Sequence, residues 1–95
     1  MSKFYDRNGN EIDLETWGEL FGNSEYKIVE RDIVNGLLVS TVWLGMDHRF
    51  GDGDPLIFET MVFANEDWSD MDVERYSTIE EARAGHARMV KKWSK

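Results

Sequence analysis

The chain has 95 residues, 19 acidic and 11 basic side chains for a formal charge of −8, and no cysteine. That length holds one domain with one core, residues 1–95. The missing thiols exclude disulfide and thiolate–metal staples, and the acid excess argues against the basic surface that nucleic-acid phosphates need.

All 19 acidic residues lie within positions 1–81, whereas Arg83, Arg88, Lys91, Lys92 and Lys95 close the chain without an acid among them. An acidic body matches a basic partner surface, although acidic surfaces also serve solubility alone. No segment approaches the length of a membrane span, and the first residues lack the apolar run of a signal peptide. The expectation is a cytoplasmic protein with no membrane partner.

In chain order, Lys3–Asp6 and Glu11–Ile12 read as a short ribbon turning at Asn8-Gly9. Asp13 then caps a helix to about Phe21, with Leu14, Trp17, Leu20 and Phe21 on one apolar face. Gly22-Asn23 stops it. Tyr26–Val34 and Leu37–Leu44 are rich in β-branched and aromatic residues, with Asn35-Gly36 between them. That pattern predicts a hairpin with a two-residue turn, pairing Val34 with Leu37, Asp32 with Val39, Glu30 with Thr41 and Ile28 with Trp43. Leu56–Phe63 is a third strand whose apolar residues fall on both faces, which suits a central or doubly covered position. Val73–Tyr76 adds an edge strand.

Ser77 with Glu80 reads as a capping box opening the last helix. Its apolar stripe is Ile79, Ala82, His86, Met89, Val90 and Trp93. A lone His on such a stripe is usually a core residue bonded to backbone or a carboxylate, and Gly85 beside it suggests close approach of a strand or ligand, or simple tolerance of a glycine. The fold class is α+β: an antiparallel three- to four-stranded sheet, two helices on one face, and an N-terminal β-ribbon.

The connection from Gly45 to Pro55 carries most of the candidate chemistry. Asp47, His48, Asp52 and Asp54 are oxygen and imidazole donors, but the helix-loop-helix calcium signature is incomplete, so no metal is assigned. His48 could act as a base oriented by Asp47 or Asp52, with Arg49 clamping an anion. No activated nucleophile accompanies it, so no catalytic residue and no cofactor are assigned. As a recognition loop it would present Phe50 as an apolar anchor framed by charges; the plain alternative is a connection whose Gly and Asp solve turn geometry. Residues Asn65–Glu74 set five carboxylates around Trp68 and Met71, a second candidate contact. The binding candidates are therefore Asp47, His48, Arg49, Phe50, Asp52, Asp54 and Trp68.

Several segments resemble a family of small, uncharacterised proteins encoded by tailed bacteriophages of actinobacteria and by prophages. They are Phe4–Asn10, Val39–His48, Phe50–Phe63, Arg75–Thr78, Glu81-Ala82 and Gly85-His86. The resemblance covers most of the chain and implies a phage accessory protein acting in the host cytoplasm; it supplies no catalytic residues. The expected function is non-enzymatic binding that inhibits a host defence or housekeeping protein, for which a basic surface is the electrostatic match, or that sequesters a small molecule. The alternatives are a small enzyme or ligand-binding domain acting on a phosphorylated or nucleotide ligand through residues 47–54, and a virion or assembly component.

Overall fold

The computed structural model describes residues 3–47, 54–64 and 70–94. Strands β1 (Phe4–Tyr5) and β2 (Glu11–Ile12) form the ribbon. Its connection runs over the five residues 6–10 and includes the expected Asn8-Gly9. The Asp6 carboxylate organises it by accepting from the backbone N–H groups of Asn8 and Asn10, both at 2.9 Å, and only Gly9 takes a positive φ, of 84°.

Helix α1 (Leu14–Phe21) starts at Asp13, whose carboxylate accepts from Thr16 N at 2.8 Å. Leu14 departs from the expected apolar face and is 64% exposed. A one-turn helix α2 (Ser24–Lys27) follows, capped by the Asn23 side chain, where the sequence reading begins a strand at Tyr26. Asn23 satisfies two free N–H groups at once, which outweighs the strand preference of the residues after it.

Strands β3 (Ile28–Val34), β4 (Leu37–Trp43), β5 (Phe58–Ala64) and β6 (Asp70–Tyr76) make one antiparallel sheet in sequence order. The β3–β4 turn has Asn35 at φ 51° and Gly36 at φ 74°, both left-handed as a tight hairpin requires. Three of the four expected pairs are present. The fourth is Ile28 with Val42 rather than Trp43, because a bulge inserts Val29 between Ile28 and Glu30. The extra residue lets Val29 pack on the core while Ile28 keeps to the opposite face with Val42.

Helix α3 (Ile79–Trp93) packs across all four strands. Its capping box uses Thr78 and Glu81, one residue beyond the expected pair: Thr78 Oγ1 accepts from Glu81 N and Glu81 Oε1 accepts from Thr78 N, each at 3.1 Å. Alternation along the strands then decides what is buried. Val39, Thr41 and Trp43 of β4 and Phe58, Thr60 and Val62 of β5 are closed off beneath α3 and the ribbon. Trp43, Phe58, Ile57, Tyr76 and Ala82 form one core cluster, and Val39, Val62 and Met89 a second. Burying an aromatic of this size stabilises by about 1.5–3 kcal/mol each.

Candidate functional site

The helix-covered side of the sheet contains a row of polar side chains, one from each strand and one from α3. Tyr76 Oη on β6 donates to Thr60 Oγ1 on β5 at 3.1 Å. Thr60 Oγ1 lies 2.5 Å from Thr41 Oγ1 on β4, which lies 2.7 Å from His86 Nδ1. His86 Nε2 faces Asp32 Oδ2 on β3 at 2.7 Å. With Tyr76 as first donor, one consistent orientation has every proton pointing toward β3, ending in an Nε2–H bond to the Asp32 carboxylate.

Thr41, Thr60 and His86 are fully buried, so each would cost about 1–3 kcal/mol if left unpaired. Burial pushes the Tyr76 pKa up to about 12 from its ordinary 10, against the pull of the Thr60 hydrogen bond, and the Glu74 carboxylate adds to the rise. Gly85 has a specific purpose here, because a Cβ at this position would fall inside the Tyr76 ring. That close approach is the one the sequence suggests.

Thr41, His86 and Asp32 have the connectivity of a nucleophile–base–carboxylate triad. Thr41 is sealed beneath α3 and shares its hydroxyl with Thr60, so no substrate reaches it. In this arrangement the row braces the helix against the sheet.

Among the described residues, the opposite side of the sheet has only the one-turn helix α2 at one edge, through Ser24 and Lys27. Arg31 and Ile33 of β3, Leu38, Ser40 and Val42 of β4, Glu59, Met61 and Phe63 of β5, and Val73 and Arg75 of β6 share it by register. Ile33 is 68% exposed and Val73 45%. A cleft of about 390 Å³ lies in this face, with Lys27 and Arg31 at its border and Leu38, Val42, Met61 and Phe63 among its walls. Glu59 also lines it, but its carboxylate is held by Arg75 at 2.9 Å. The cleft is thus apolar with a cationic border, in a protein of charge −8.

Of the binding residues singled out by sequence, Asp47 and Asp54 are described; His48, Arg49, Phe50, Asp52 and Trp68 lie outside the described residues. Asp47 Oδ1 accepts from Leu56 N at 3.2 Å across the base of the connection. Asp54 is exposed, and its carbonyl accepts from Ser77 Oγ at 3.4 Å. His86 itself occupies the expected core position, with a carboxylate partner. The open face was not singled out, although apolar residues on both sides of β5 were its signal. Compared with protein-family models, curated proteins and solved structures, the chain matches none.

Proposed function

We propose that this chain is a phage accessory protein that works by binding, without turnover, in the host cytoplasm, and that the open sheet face is its contact with a host protein. The family resemblance supports the phage setting. The observation that carries the binding reading is the open face of the described residues, where Ile33 and Val73 stand 68% and 45% exposed. Apolar groups at this exposure gain when a partner removes them from water, by about 25 cal/mol per Å² covered. Arg31 and Lys27 at the border of the cleft give that partner's acidic side chains somewhere to pair, so the acidic excess of the chain as a whole does not dictate a basic partner here.

The test is affinity capture from infected host cells with the parent protein and with Ile33→Glu and Val73→Glu variants shown by circular dichroism to be folded. One stoichiometric partner, lost in both variants and re-bound from purified components, is the expected result. A partner retained by both variants would move the contact elsewhere, to residues 47–54 or the segment around Trp68. A mass above that of one chain in light scattering, with no host protein attached, would favour an assembly component instead.

A second reading rests on the cleft. Its volume lies in the range of small-molecule sites, and its cationic border suits an anion with an apolar body. Native mass spectrometry of the purified protein tests it through a retained small molecule that Arg31→Gln releases.

A further inference from the structure

We infer that Glu30, Asp32 and His86 form a site for a divalent transition-metal ion of the Zn²⁺ class, separate from the open face. One ligand atom from each lies within 4.8 Å of the other two. Glu30 and Asp32 stand two residues apart on the bulge-free part of β3 and so share the helix-facing side, where α3 brings His86 to them. Nε2 is 2.7 Å from Asp32 Oδ2 and 3.7 Å from Glu30 Oε2.

Three observations favour a cation over a simple pair. Among the described residues, His86 is the only ion-pair partner of either carboxylate, so two negative charges meet one imidazole. Nδ1 is fixed by Thr41 at 2.7 Å, which orients the ring as outer-shell hydrogen bonds orient metal-bound histidines. The carboxylates are about half exposed while the imidazole is buried, which leaves a solvent side for further ligands.

Donors on a tetrahedron of Zn–ligand bonds stand about 3.4 Å apart. The Glu30 separation is near that, and Asp32 must open by under about 1 Å, which its exposed side chain permits. One nitrogen and two oxygens suit a borderline ion better than Ca²⁺ or Mg²⁺, which prefer oxygen throughout. Loading moves the single imidazole proton from Nε2 to Nδ1, where it donates to Thr41 Oγ1; the Thr41 hydroxyl then donates to Thr60 and the Thr60 hydroxyl to Tyr76 Oη, so the row reverses its direction. The proton count of the ring is unchanged.

The experiment titrates Zn²⁺ into the full chain carrying His48→Gln, which leaves His86 as the sole histidine. It reads heat by calorimetry and the imidazole ¹⁵N shifts by NMR. One site is expected, with the shifts passing from the Nε2–H to the Nδ1–H form. Asp32→Asn and Glu30→Gln should each weaken binding roughly tenfold or more. Both retain a hydrogen-bond acceptor, so the metal-free variants should still unfold cooperatively, Asp32→Asn at a somewhat lower urea midpoint because an amide accepts more weakly than a carboxylate. No heat at millimolar Zn²⁺, binding that survives both substitutions, or ¹⁵N shifts that do not move would each overturn the site.

Discussion

The two sides of the four-stranded sheet are built from the same four strands, yet they handle polarity in opposite ways. Beneath α3, the polar side chains of Tyr76, Thr60, Thr41, His86 and Asp32 are paired along one row. On the open side, apolar residues remain in water among a few charges. The covered side is where fold stability resides, and the open side is where a partner can still lower the free energy. The contact proposed above would finish the second face as α3 finishes the first.

That contrast can be broken most directly at Phe58, which is fully buried beneath the helix. Phe58→Ala should cost about 3–5 kcal/mol, read as a lower urea midpoint. Gly85→Ala should cost about 1–3 kcal/mol by forcing Tyr76 aside, the opposite of the gain an Ala brings to an ordinary helix interior. A midpoint that rises instead would mean that Tyr76 is not held against α3.

Thr41→Val keeps the shape but leaves His86 Nδ1 and Thr60 without their partner, for about 1–3 kcal/mol. The alkaline limb of stability sharpens the comparison further. The Tyr76 pKa is raised to about 12 in the fold, so its contribution is complete below pH 10 and is lost as pH climbs toward 12. Tyr76→Phe should flatten that loss in urea midpoints measured between these two values. At the small end, Ile33→Ser on the open face should move the midpoint by no more than about 0.5 kcal/mol while weakening partner binding.

Much of the fold was legible where one residue pair dominates a choice. Asn35-Gly36 set the hairpin, because both positions need positive φ. The stripe from Ala82 to Met89 set the buried face of α3. Legibility failed where two readings were equivalent on paper. Ser77 and Thr78 each have a glutamate three residues on, and only the backbone decided for Thr78. The bulge at Val29 is likewise silent, since neither neighbour is a glycine or a proline.

The candidate site was less legible still. His86 and Asp32 are 54 residues apart, and no spacing rule joins a helix to a strand that distant. His86 was expected to have a carboxylate or backbone partner, but which one followed only from the helix crossing the sheet. The open face needed knowledge of what does not cover it. No single segment holds that information.

The bulge at Val29 has a counterpart at the far side of the sheet, where β6 holds Met71 as an extra residue between the partners of Val62 and Phe63. Both outermost strands are therefore interrupted, and both are heavily charged: Glu30, Arg31 and Asp32 on one, Asp72, Glu74 and Arg75 on the other. A flat, uninterrupted outer strand invites another chain to add itself to the sheet, and bulges and charge are the usual deterrents. At high concentration the protein can thus keep an apolar surface exposed without zipping into fibres through its rims.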